Sequence, residues 1–231
     1  MEERMQPLQP GEPAPAFDLD AANRAETVSL AGLRGRPFLI GFLRGLHCPF
    51  CRRQVRQLAG VQPALQAAGV ETLAVINTPV ERARLYFRYQ PTPVTLLCDP
   101  DCRSHRAFGV PHVAFLPPES RDEPQWPARA RAEDFEAARI NPGGELPAAL
   151  QPMAANAALN MADGFEPDAS DEAMFARHGT QLVGHFLVDA DGIVRWVEIE
   201  ARDGPNGIGT LPGATQILAA ASRLGHPPSA R

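Results

Sequence analysis

Lysine is missing from this sequence: all 22 basic residues are arginine. That absence excludes lysine Schiff-base catalysis and Walker-type phosphate loops, both of which need an ε-ammonium. A composition favouring Arg and Ala is the simplest cause. No apolar run reaches the roughly 18 residues of a membrane-spanning helix, so no membrane partner is expected. A strong positive balance is lacking too; the net charge is -5, which argues against a nucleic-acid partner. Cysteine is scarce, four in 231 residues, too sparse for a secreted disulfide scaffold. The opening stretch, MEERMQPLQPGEPAPAF, is acidic and proline-rich and lacks the apolar segment of a signal peptide. A cytoplasmic location is the expectation. In such a reducing compartment a close cysteine pair is more often catalytic or metal-binding than structural.

What is present suits a folded α/β domain. The hydrophobic fraction is 44%, enough to bury a core, and the length suits one domain spanning residues 1–231. Residues 1–15 read as an extended tail, followed by a short strand and turn in 27–37. PFLIGFL (37–43) is a continuous apolar run, the pattern of a strand covered on both faces. Val55, Leu58 and Ala59 then form a helical stripe, which Pro63 should kink or end. Further strands are expected at 71–78 and 94–98, with helices at 79–90 and 99–110. This alternation argues for α/β architecture with helices against a central mixed sheet. It breaks off at residues 111–181, a proline-rich stretch read as an insertion with helices at 146–161 and 170–179. The sheet resumes in 182–200, where DADG marks a hairpin turn. In the second hairpin strand Val194 and Trp196 are expected on one face, with Ile193, Val197 and Ile199 on the other. A final helix is expected at 213–225.

The chemistry concentrates in LRGLHCPFCRRQV (43–55), which holds Cys48 and Cys51 where the apolar strand gives way to a helix. Free backbone N–H groups and the helix dipole stabilise an anion there, and a thiolate is such an anion. Pro49 fits the first helical position. Arg44, His47, Arg52 and Arg53 are expected to add positive potential. Two cysteines three apart on a first turn place their sulfurs on one side, so one can attack and the other resolve. A zinc site is the competing reading: Cys98, Cys102 and His105 form a C-x3-C-x2-H cluster that could join the pair. CPFC opens a helix rather than a zinc knuckle, so neither a metal nor another cofactor is expected. Cys98, at a strand end, reads as core; Cys102, at a helix start, reads as exposed and a possible resolving thiol. His105, His112, His178, His185 and His226 have no partner visible in the sequence and read as surface or satisfied core residues.

Several segments together resemble the peroxiredoxin-like AhpC/TSA family of the thioredoxin superfamily, in its CxxC-containing branch. GEPAPAFDL (11–19) looks like that family's opening motif, and LAGLRGRPFLIGFLRGLHCPFC is similar to its first buried strand and active-site loop. LLCDPDCRSHRAFGV and GHFLVDADGIVRW resemble its third strand and final hairpin. The likeness covers about residues 9–110 and 182–225 and leaves the insertion unmatched. It implies a thioredoxin-like fold and a thiol-dependent antioxidant enzyme that reduces a peroxide, with a thioredoxin or glutathione-type reductant and a possible homodimer. A disulfide substrate, or a redox sensor without turnover, is the alternative. Against the family's Pro-xxx-Thr-xx-Cys loop, Arg44 takes the proline place, Cys48 the threonine place and Cys51 the attacking place. In the thioredoxin pattern Cys48 attacks instead. Val183 stands where peroxiredoxins often carry a catalytic arginine and thioredoxins a cis-proline.

Overall fold

The structure is a computed structural model, which describes residues 4–225; His226 lies outside them. The chain opens with an antiparallel pair, β1 (Asp18–Asp20) and β2 (Thr27–Ser29). Next come β3 (Phe38–Leu43), α1 (Pro49–Ala67), β4 (Glu71–Ile76), α2 (Val80–Tyr89), β5 (Thr95–Cys98) and α3 (Arg103–Ala107). The segment after α3 holds β6 (Ala114–Phe115), β7 (Arg129–Ala130), α4 (Ala132–Ala137), α5 (Pro152–Ala162) and α6 (Ala169–His178). β8 (Gly184–Val188), β9 (Val194–Ile199) and α7 (Ala214–Ser222) complete it. The central sheet runs β5-β4-β3-β8-β9, with β3, β4 and β5 parallel and β8 and β9 antiparallel.

Every residue of β3 is buried, as its unbroken apolar run requires of a central strand covered on both faces. Alternate residues feed two cores. Leu39, Leu43, Ala74, Ile76 and Leu96 pack under α1, α2, α5 and α7, against Leu58, Leu65, Leu159 and Ile217. Phe38, Ile40, Phe42, Leu73 and Val75 face the other way, onto Phe108, Leu8 and Phe17. That second face is closed by a cluster of aromatic rings, with Phe42 and Phe108 centred 4.5 Å apart.

Five expectations need correction. The segment before β1 is no loose tail: Leu8 is buried and its N–H donates to the Phe108 carbonyl. α1 does not end at exposed Pro63 but continues to Ala67, and Gly69, with φ +73, follows its end. The helix expected at 99–110 shrinks to α3, because Cys102 takes a left-handed conformation (φ 53) and Asp99 caps the first turn through the Ser104 N–H at 2.7 Å. The insertion carries a two-residue parallel strand pair, and its first long helix begins at Pro152 rather than 146 because a proline at the first turn, with Gln151 capping, sets the start. In the hairpin a bulge at Leu187/Val188 opposes Leu187 to Trp196 and Val188 to Val194. Val194 therefore packs with Val197 and Ile199, and Trp196 alone joins the opposite core.

Candidate active site

Cys48 is the N-cap residue of α1. Its extended backbone (φ -94, ψ 107) aims the sulfur back at the helix start, where it accepts the Cys51 N–H at 3.2 Å. Pro49 occupies the first helical position, where its missing N–H leaves no orphan donor. Arg44, four residues upstream at the end of β3, points its Nε–H at the same sulfur, 3.3 Å away. Burial alone would raise the Cys48 thiol. The hydrogen bond from the Cys51 thiol, the Arg44 charge and the Arg44 hydrogen bond outweigh it and hold the pKa near 6. Cys51 moves in the opposite direction: burial raises it, and so do its donated hydrogen bond and the negative charge of Cys48. Cys48 and Cys51 are not joined in a disulfide, and their shared hydrogen bonding and charge move the two thiols in opposite directions, Cys48 down and Cys51 up.

Arg44 is held by a residue the sequence reasoning did not single out. Glu200, just past β9, has no exposed side-chain surface and takes both Arg44 terminal nitrogens, at 2.7 Å each. Its oxygens also accept the Val183 N–H at 2.9 Å and the Gly209 N–H at 2.6 Å. A fully satisfied carboxylate thus fixes the guanidinium with Nε toward the sulfur. The Gln181 carbonyl takes Arg44 Nη1 as well, at 2.9 Å. The only sequence signal for Glu200 is an acid closing the apolar VEIE run, which reads equally well as an exposed strand end.

The other expected members of the site divide. Arg52 is buried but turned away: it donates to the Leu46 carbonyl, to Asn160 at 2.9 Å and to Asp163 at 2.6 Å, and lies 4.2 Å over the Phe165 ring. Arg53 pairs with Glu145 and Asp163. Both bind the insertion to α1, so their charges are largely neutralised locally. His47 brings no positive charge at neutral pH: burial, then Arg44, Arg52 and His178, press its pKa down to about 4. Neither of its ring nitrogens has a hydrogen-bond partner among the described residues. Cys102, expected exposed, is fully buried, and burial pushes its thiol up to about 12. Cys98 is core and likewise near 12. His105, His178 and His185 are buried, each with a hydrogen-bond partner: the Leu43 carbonyl, the Pro100 carbonyl and Gln54. Among the described residues, no group of three or more His, Cys, Asp or Glu could hold a metal ion.

The insertion covers this centre. Phe135, Met153 and Phe175, from α4, α5 and α6, face Arg44, His47 and Phe50 across a small cavity of about 40 Å³. Asn160 of α5 donates to the His47 carbonyl at 3.0 Å. Beneath this cover Cys48 and Cys51 are only 1% and 2% exposed.

A five-stranded mixed sheet flanked by helices, with a CxxC at the start of its first long helix, is a thioredoxin-like fold. The AhpC/TSA family model matches residues 10–139, more than half of the 231, and the chain belongs to that family. The fold is similar to that of the Plasmodium vivax 2-Cys peroxiredoxin, at 16% identity and a TM-score of 0.57, covering 95% of this chain and 83% of that one. A peroxiredoxin-like protein from Aquifex aeolicus aligns at 14% identity and a TM-score of 0.55, covering 94% and 88%. Peroxiredoxin Q from Xanthomonas campestris aligns at 15% and 0.52, covering 91% and 90%. Likeness at these identities speaks for the fold alone. No curated protein sequence matches the chain.

Proposed function

We propose that the protein reduces a peroxide, with Cys48 attacking and Cys51 resolving. The Cys48 thiolate displaces at the peroxide O–O bond; sulfur takes one oxygen and becomes a sulfenic acid, and the other oxygen leaves as water or an alcohol after gaining a proton. Cys51 then attacks the oxidised sulfur, the S–O bond breaks, water leaves and a Cys48–Cys51 disulfide forms. An external dithiol or two monothiols, of the thioredoxin or glutathione type, return both cysteines to thiols.

The observation that carries this reading is the Arg44 guanidinium on the Cys48 sulfur, 3.3 Å away. A thiolate supported by a fixed cation can develop its transition state without reorganising water. Arg44 also lines a cavity of about 40 Å³, room for a molecule the size of hydrogen peroxide. The reading places the protein in a reducing compartment such as the cytoplasm. Among the described residues no helix is long and apolar enough to cross a membrane.

Stopped-flow oxidation by hydrogen peroxide tests it. Cys48→Ser should abolish the reaction. Cys51→Ser should stop it at a sulfenic acid that dimedone traps. Oxidation of Cys48 no faster than that of free cysteine refutes it. One observation favours a second reading, thiol–disulfide exchange: the ionised sulfur is the first of the pair, as that chemistry requires. Turnover in an insulin-reduction assay, without rapid peroxide reaction, would select it.

A further inference from the structure

His47 stands immediately before Cys48 and lines the same cavity as Arg44. It is buried, yet neither ring nitrogen has a hydrogen-bond partner among the described residues. Buried polar atoms nearly always have one, so an unpartnered imidazole at a cavity wall marks a group held ready for a ligand. The ring is fixed in place. It packs edge-on against Phe175, with centroids 5.5 Å apart, and the His47 carbonyl accepts from Asn160 at 3.0 Å. Its neighbours are anchored as well: the Leu46 N–H donates to Thr78 Oγ1 and the Cys48 N–H to the Gly45 carbonyl, both at 3.0 Å. Nδ1 sits on the side of Gly45 and Asn77, since a Cβ at Gly45 would lie within 3.0 Å of both Nδ1 and Asn77 Oδ1. Nε2 belongs to the other edge of the ring.

Arg44 is already engaged: its Nε is on the Cys48 sulfur and its terminal nitrogens are on Glu200 and the Gln181 carbonyl. When a thiolate attacks a peroxide, negative charge gathers on the oxygen that leaves, and a fixed donor at that oxygen lowers the barrier. We propose that His47 donates its Nε2–H to the leaving oxygen and is a catalytic residue of the peroxide reduction. This inference rests on the peroxide reading and adds to it the group that receives the departing oxygen. The S–O bond forms as the O–O bond breaks; the sulfur is oxidised by two electrons and the peroxide reduced by two. The leaving oxygen then takes a proton from solvent water, while the imidazole keeps its own. Burial, then Arg44, Arg52 and His178, keep the ring uncharged at neutral pH. A neutral ring still carries one N–H donor, and without a charge it leaves the ionisation of Cys48 to Arg44.

Two rates measured on the full chain at one pH test it: stopped-flow oxidation of Cys48 by hydrogen peroxide, and alkylation of Cys48 by iodoacetamide. Alkylation needs the thiolate but no donor to a leaving oxygen, because iodide departs. His47→Leu and His47→Phe should slow the peroxide reaction about tenfold or more and leave alkylation within about twofold of wild type. His47→Gln, which retains an N–H donor, should recover most of the peroxide rate. His47→Phe keeps a flat ring against Phe175, so it carries the test if circular dichroism shows His47→Leu to be misfolded. Peroxide rates unchanged in the folded variants overturn the inference and leave the peroxide reading intact. So does an equal fall in both reactions, or a His47→Gln rate as low as that of His47→Leu. Wild-type oxidation no faster than that of free cysteine overturns the peroxide reading and the inference with it.

Discussion

Arg44 and Glu200 allow the electrostatics of the site to be pushed in both directions. The Cys48 thiol stands near pKa 6 against 9.0 for an ordinary thiol, and Arg44 contributes both a charge and a hydrogen bond to that drop, while Glu200 opposes it. Arg44→Met should therefore raise the Cys48 pKa by one to two units or more. At pH 6 the ionised fraction would fall from about half to about 10 per cent or less, and iodoacetamide alkylation of Cys48 should slow about 5- to 50-fold. Glu200→Gln removes the opposing charge and should move the titration midpoint below 6, speeding alkylation at pH 5. The measurement is the pH dependence of the alkylation rate, with the label located by mass spectrometry. A general loosening of the site would move both variants the same way; electrostatic control moves them apart. Arg44→Met also strands the Glu200 carboxylate without its buried partner, at a stability cost of about 3–5 kcal/mol, so its fold must be checked by circular dichroism. A folded Arg44→Met protein that still titrates near 6, or a shift of the same sign in both variants, refutes the reasoning.

Three further expectations follow from other parts of the fold. His47 and His185, held near 4 and 3 chiefly by burial, stay neutral in the folded chain while the unfolded chain protonates them near 6.5; stability is therefore full above pH 6.5 and is lost as pH falls from 6.5 to 4 and 3, by about 3 kcal/mol for His47 and about 5 kcal/mol for His185 at full effect, and urea midpoints should show His47→Leu flattening that acid limb. Asp163 joins both Arg52 and Arg53 to the insertion, so Asp163→Ala should cost about 1–3 kcal/mol in urea denaturation and raise Cys48 labelling by a bulky maleimide more than by iodoacetamide; equal rises would deny that the insertion shields the site. Gly109 has φ +70, and a Cβ there would collide with the Gln6 backbone carbonyl; Gly109→Ala should cost about 2 kcal/mol or more in thermal unfolding and release the N-terminal segment to proteolysis.

The sequence by itself determined the frame and the reactive centre. Apolar runs such as 37–43 can be satisfied only as strands buried on both faces, and turn and cap residues such as DADG and Pro49 act locally, so their outcome is legible in a few neighbouring letters. Cys48 and Cys51 at a strand-to-helix junction follow from the same local rules. Tertiary structure decided the opposite directions in which the two thiols are shifted. That contrast rests on Arg44 being aimed by Glu200, 156 residues away in the chain, and on burial that pushes His47 to neutrality. It also decided that Arg52 turns to the insertion, that Cys102 is buried in a left-handed turn and that α1 runs past Pro63. Each of these depends on which distant surface a side chain meets, and electrostatic and packing energies between residues remote in sequence are fixed only when the fold brings them into contact.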